Sequence, residues 1–241
     1  MLYRRRRMRI LAITHLAHAG PGVFGETARA AGHRITEWFA PGDPAPATDG
    51  FGAAMVFGGA VHVDQERAHP WLRDEKELLR GLLDRGTPVL GVCLGSQLLA
   101  QAAGAAPRAL PGAEIGWHAI GLTPEGAADP VLGPLAPGLR GVAWHSYEAP
   151  LPPGAVPLAR SAACLQAFRL PGPPSASYGI QFHAEVTAGD LGHWLDDWHT
   201  DADAVATGLD PEAIRAESAG MIEGWNDVGR GIARRFFELS G

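Results

Sequence analysis

Short runs of consecutive apolar residues alternate along this chain with longer stretches whose apolar positions recur at helical spacing, as a parallel sheet with crossover helices requires. The runs predict strands at Arg9–Thr14, Ala53–Phe57, Pro88–Val92, Trp117–Leu122, Val142–His145, Pro157–Ser161, Cys164–Arg169 and Tyr178–Phe182. Between the second and third, Trp71, Leu72, Leu78, Leu79, Leu82 and Leu83 form the apolar stripe of a helix over Trp71–Arg85, which Gly86-Thr87-Pro88 terminates. From Asp190 onward the pattern changes. Asp210-Pro211-Glu212 reads as an N-cap with proline at the first helical position, and Met221, Ile222, Trp225, Ile232 and Phe236 repeat along one helix face. The pattern predicts a main domain over residues 9–190 and a helical C-terminal appendage over 191–241, its Trp and Phe stripe serving core packing rather than a cofactor.

At 241 residues and 46% hydrophobic, the chain can bury a substantial core, which excludes disorder. Its 32 glycines and 20 prolines are scattered between the apolar runs without a period, as turn punctuation is. The net charge is −6, and the five arginines at positions 4–7 and 9 are so concentrated that the chain without residues 1–9 would carry −11. An acidic body with one small basic patch lacks the distributed phosphate contacts of a nucleic-acid binder. Those arginines and the apolar residues after them imitate a signal peptide, but Thr14 and His15 interrupt the run too early. Residues 1–8 are therefore expected to be a disordered leader, with Met8 as an alternative start. No segment approaches the roughly 18 apolar residues of a membrane span. Two cysteines, Cys93 and Cys164, make neither a disulfide framework nor a zinc pattern, which fits a reducing cytoplasm.

Candidate chemistry concentrates in Pro88–Ala100, where a buried strand runs into a helix through a turn with Cys93 at its apex and Gly91 and Gly95 on either side. This is the pattern of a nucleophile elbow with sulfur in place of oxygen. The bend is strained, side chains at the flanking positions would collide with backbone, and the helix N-terminus favours thiolate over thiol. A lone G-x-C-x-G equally describes a small buried cysteine in a Gly-rich turn. The second constellation weighs against that: His183 and Glu185 stand two apart, so an extended backbone would project both to one side. A carboxylate beside an imidazole fixes its tautomer and stabilises the imidazolium that forms when it takes a proton from a thiol. Cysteine, histidine and glutamate then supply nucleophile, base and orienter.

With these residues in view, the sequence resembles the class I (triad) glutamine amidotransferases, particularly stand-alone members similar to the amidotransferase domain of guanosine monophosphate synthetase. The resemblance covers roughly residues 9–190 and rests on five motifs in the family's order: Phe57-Gly58-Gly59, Gly91–Gln97, Glu114-Ile115-Gly116-Trp117, Trp144-His145-Ser146 and Gln181–Glu185. It implies a flavodoxin-like fold, a mainly parallel sheet with helices on both faces, with an added antiparallel β segment after about residue 105 and the C-terminal helices beyond. It implies that Cys93 attacks the side-chain amide of glutamine to form a γ-glutamyl thioester, with His183 as general acid/base and Glu185 as its partner. Backbone N–H groups of Gly59 and Leu94 would form the oxyanion hole, and Gly58, Gln97 and the segment His145-Ser146-Tyr147 would hold the substrate. No cofactor and no metal is implied.

Three positions depart from the family pattern: Ala60 where Gly-Gly-Pro is frequent, Ser146-Tyr147 where many relatives read Gly-Asp, and Ala184 where proline is usual. The second lacks the aspartate that the resemblance would place beside the glutamine α-amino group. With no synthetase domain or P-loop in the chain, ammonia is expected to pass to an acceptor on another protein. The alternatives are a γ-glutamyl hydrolase or peptidase acting on a conjugate, and a non-catalytic module. Cys164 reads as a core residue without a charged partner, Glu114 as either a functional loop residue or a solvated charge, and the pairs His15/His18 and His193/His199 as carrying no metal.

Overall fold

The computed structural model describes residues 7–173 and 175–241. Most of the expected leader therefore lies outside the described residues; Met8, at its end, is buried, and its N–H donates to His33 Nδ1 at 3.1 Å.

Nine strands, β1 (Arg9–Thr14), β2 (Arg34–Phe39), β3 (Ala53–Val56), β4 (Val89–Val92), β5 (Arg108–Leu122), β6 (Gly138–Glu148), β7 (Val156–Arg160), β8 (Leu165–Leu170) and β9 (Ser177–Ile180), form one sheet in the order β2-β1-β3-β4-β9-β8-β7-β5-β6. The pairs from β2 to β9 are parallel, and those from β9 through β8, β7 and β5 to β6 are antiparallel. The parallel part has the flavodoxin-like order, and its strand ends meet where the order reverses beside β1. Successive residues of β1 serve opposite faces. Ile10 and Ala12 join a core with Val23 and Phe24 of α1 (Gly22–Ala30) and Trp225, Ile232 and Phe236 of α8 (Ile222–Ser240). Leu11 and Ile13 face Leu72, Leu79 and Leu82 of α2 (Trp71–Asp84) and Leu98 and Leu99 of α3 (Leu94–Ala102). Burial on both faces explains why β3 and β4 read as unbroken apolar runs.

Helix α1 and strand β2 carried no sequence signal, because β2 buries only Trp38 and α1 is short and rich in small residues. Strand β5 begins at Arg108, nine residues before the expected Trp117, since the ladder with β6 resumes across an irregularity between Ala109 and Glu114. Beyond β9 come α5 (Ala188–Asp196), α6 (Ala202–Ala206) and α7 (Pro211–Ala219) before α8; the short α4 (Pro124–Ala127) precedes β6. Helix α8 packs closely on the sheet: Trp225 Nε1 donates to the His183 carbonyl at 2.7 Å and Asn226 Nδ2 to the Val186 carbonyl at 2.7 Å. Among the described residues no helix is long and apolar enough to cross a membrane.

Candidate active site

Cys93 sits between β4 and α3 with φ 53° and ψ −113°, and among the described residues it is the one non-glycine with positive φ. A conformation that disfavoured persists only where surroundings impose it. A Cβ on Gly91 would lie 2.5 Å from the Gly95 carbonyl oxygen, and one on Gly95 2.2 Å from that of Val56. Both glycines are therefore sterically required, as the elbow pattern predicts. The bend aims the thiol at the carboxyl ends of the parallel strands while the Cys93 N–H donates to the Ile180 carbonyl at 2.8 Å.

Strand β9 stops at Ile180, so His183 and Glu185 lie in irregular backbone beyond it rather than in the strand expected of them. Their side chains meet nonetheless, His183 Nδ1 to Glu185 Oε1 at 2.7 Å, and both are buried. Burial by itself lowers the His183 imidazole; the charge of Glu185, then the Cys93 thiol, outweigh it and raise it to about 10. The imidazole packs edge-on to Trp194 of α5, with ring centroids 4.8 Å apart. On the other side stands Gly58, where a Cβ would lie 2.9 Å from His183 Cε1 and 3.7 Å from Cys93 Cβ. Cysteine, histidine, glutamate and the Gly58-Gly59 loop thus converge from the ends of β4, β9 and β3.

Among the described residues the N–H groups of Gly59 and Leu94 have no hydrogen-bond partner, and both residues line a cavity of about 310 Å³ with Cys93, Gln97, Trp144, His145, Ser146 and Tyr147. Gln97 Nε2 donates to the Tyr147 carbonyl at 3.2 Å, so the helix after the elbow is tied to the β6 segment. The His145 ring turns inward, Nδ1 to the Tyr147 carbonyl at 3.0 Å and Nε2 3.3 Å from Glu114. Ser146 donates to Asp203, and Tyr147 donates to Asp64 at 3.2 Å while stacking on His62. A second cavity, about 340 Å³ and more apolar, opens on the His183 side of Cys93, lined by Leu16, Ala17, His18, Trp144, His193 and Trp194 among others. Sequence reasoning missed Asp64, Asp203 and Trp194. His18 and His193 stack on each other at the rim of this second cavity.

Two expectations need correction. Cys164 has a charged neighbour, since Glu114 Oε2 lies 3.7 Å from its sulfur. Burial, then Glu114 and Glu148, push its thiol up to about 12. Glu114 is a buried residue of β5, accepting from Ser161 at 3.0 Å and Gln166 at 2.8 Å, and not a solvated charge or a loop residue. Glu114, His145 and Cys164 lie close enough together to hold a metal ion. The protonated Cys164 thiol and the hydrogen bonds that Glu114 Oε2 already accepts from Ser161 and Gln166 oppose that use.

Residues 38–199 match the model of the class-I glutamine amidotransferase family. The glutamine amidotransferase-like protein YfeJ of Salmonella typhimurium is 31% identical over 186 residues, spanning 75% of this chain and 77% of its own. A glutamine-hydrolysing GMP synthase subunit from Natronomonas pharaonis is 37% identical over 46% of this chain and 59% of its own. A gamma-glutamyl-L-1-hydroxyisopropylamide hydrolase from a Pseudomonas species is 30% identical over 66% of this chain and 57% of its own. Among solved structures, a glutamine amidotransferase from Thermotoga maritima has the same fold at 24% identity, with a TM-score of 0.84 over 97% of this chain and 99% of that one.

Proposed function

The chain belongs to the class-I glutamine amidotransferases, and from that membership we propose that it cleaves the side-chain amide of glutamine by covalent catalysis at Cys93. The Cys93 thiolate attacks the amide carbon, the carbonyl π pair moves onto oxygen, and the N–H groups of Gly59 and Leu94 receive the oxyanion. Collapse breaks the C–N bond. The leaving nitrogen takes a proton from His183 and departs as ammonia, leaving the γ-glutamyl thioester. Water then attacks the thioester, gives a proton to His183, and expels the Cys93 thiolate and glutamate. Glu185 holds the imidazole in register throughout. The observation that carries this reading is the strained cysteine facing a buried histidine whose other nitrogen is held by a carboxylate at 2.7 Å.

The first cavity suits the amino-acid end of the substrate. Gln97, the backbone around Tyr147, and Ser146 offer polar contacts, and Asp203 supplies beside Ser146 a carboxylate for the α-ammonium group that the sequence lacks at position 147. The ammonia would pass to an acceptor site on a partner, as in a two-subunit synthetase, in the reducing cytoplasm that two free cysteines suit. A second reading has one observation in its favour: the leaving nitrogen must lie on the His183 side, and the cavity there is far larger than ammonia needs. A γ-glutamyl amide of an organic amine would fill it. Steady-state kinetics on glutamine and on γ-glutamylbutylamide test both readings. Glutamate release from either, abolished in Cys93→Ala, supports the thioester chemistry; activity surviving in that variant refutes it. A preference for the butylamide selects the second reading.

A further inference from the structure

His15 follows β1 and is buried, outside both cavities, with its ring stacked on Trp71. Its Nδ1 lies 3.0 Å from the Gly58 carbonyl oxygen and its Nε2 2.9 Å from Glu75 Oε2 on α2. The Gly58 carbonyl can only accept, so Nδ1 carries a proton, and Glu75 beside Nε2 favours the doubly protonated, charged ring. Burial disfavours that charge, and Glu75 first, then the Gly58 and Phe57 backbone, overcome it.

The Gly58 carbonyl and the Gly59 N–H belong to one peptide unit, and in a trans peptide they point in opposite directions. A carbonyl drawn inward to His15 turns the Gly59 N–H outward, to the cavities that Gly59 and Cys93 line together. Two consecutive glycines leave that peptide otherwise free to rotate. We propose that His15, itself held by Glu75, is a positioning residue that sets the orientation of the Gly59 N–H in the oxyanion hole. Flipping the peptide would break a charge-assisted hydrogen bond inside the protein, so the loop is kept in its working arrangement without a docked partner. The proposal rests on the thioester reading above, because only an oxyanion formed at Cys93 makes the direction of that N–H matter.

The test compares two variants that differ in one donor. In both, Glu75→Leu removes the buried carboxylate, so that neither contains an uncompensated charge. One carries His15→Asn, whose side-chain amide nitrogen can occupy the place of Nδ1; the other carries His15→Leu, of the same shape but with no donor. Glutamate release from glutamine, or from γ-glutamylbutylamide if wild type prefers it, gives kcat and KM. The rate of Cys93 alkylation by iodoacetamide, read by mass spectrometry, reports the thiolate without any oxyanion. The leucine form should lose about a hundred- to a thousand-fold in kcat, the loss expected for one misaligned donor, with KM and alkylation within about threefold of wild type. The asparagine form should recover at least about tenfold of that loss. Equal kcat in the two forms, or alkylation falling in step with kcat, overturns the proposal. Wild type that is alkylated at Cys93 yet releases no glutamate from either substrate instead overturns the thioester reading, and this inference with it.

Discussion

Replacing Glu185 with glutamine should remove a defined pH-dependent part of the protein's stability. In the folded protein the His183 imidazole is raised from 6.5 to about 10: burial opposes the rise, and Glu185, the largest favourable contribution, drives it. In the unfolded chain the imidazole returns to about 6.5. Between those values the folded protein holds a proton that the unfolded chain has released. The stabilisation is therefore complete below about pH 6.5 and is lost as pH rises toward 10. Each pH unit in that window removes about 1.4 kcal/mol, or roughly 2 kcal/mol from pH 7 to 8.5. In a Cys93→Ser background Glu185 still raises the imidazole, but the part of the rise that Cys93 supplies is absent, so roughly 2 kcal/mol is the upper bound there. Groups that Glu185 does not touch are common to both proteins and cancel. Urea unfolding of Cys93→Ser with and without Glu185→Gln, at pH 7, 7.5, 8 and 8.5, should show the stability gap narrowing steadily, by up to roughly 2 kcal/mol. A gap that stays constant over this range would refute the assigned coupling.

With Cys93 intact, Glu185→Gln should lose less glutamate-releasing activity than His183→Ala, because a helix N-terminus supports the thiolate without a perfect base; equal and total loss with a changed melting temperature would mark Glu185 as structural. A glutamine-mimicking electrophile should label Cys93 and leave Cys164 unmodified at pH 8, since the second thiol is pushed up to about 12; mass spectrometry finding Cys164 modified first would contradict this. Asp203→Asn should raise KM for glutamine about tenfold or more with kcat little changed, the sign of lost ground-state binding, and an unchanged KM would remove Asp203 from substrate recognition. Gly58→Ala should fold but turn over at least about a hundredfold slower, because the new methyl lands 2.9 Å from His183 Cε1; kinetics indistinguishable from wild type would show that the imidazole has room to move.

Most strands and the longest internal helix were legible because their signals are local. The unbroken runs of β3 and β4 and the leucine stripe of α2 reflect periodicity that neighbouring residues carry by themselves. The elbow was legible for the same reason: glycines two positions either side of Cys93 are required by backbone contacts within the strand-turn-helix and with the neighbouring strand. Strand β2 was not, since an edge strand with one buried residue has no pattern to read.

What the sequence determined by itself is the bend at Cys93, the pairing of a histidine with a nearby carboxylate, and the alternation that builds a parallel sheet. Each is set by residues a few positions apart. The tertiary structure alone decided what surrounds Cys93. Ser146 meets Asp203 across 57 positions, His15 meets Glu75 across 60, and Trp194 reaches the His18 carbonyl across 176. Lone carboxylates and aromatic rings carry no periodic signal, and their partners are chosen only when helices dock on the carboxyl edge of the sheet. Beyond the end of β9, Trp225 of α8 donates to the His183 carbonyl from behind while the imidazole meets Glu185 in front, a placement that spacing in the sequence does not carry.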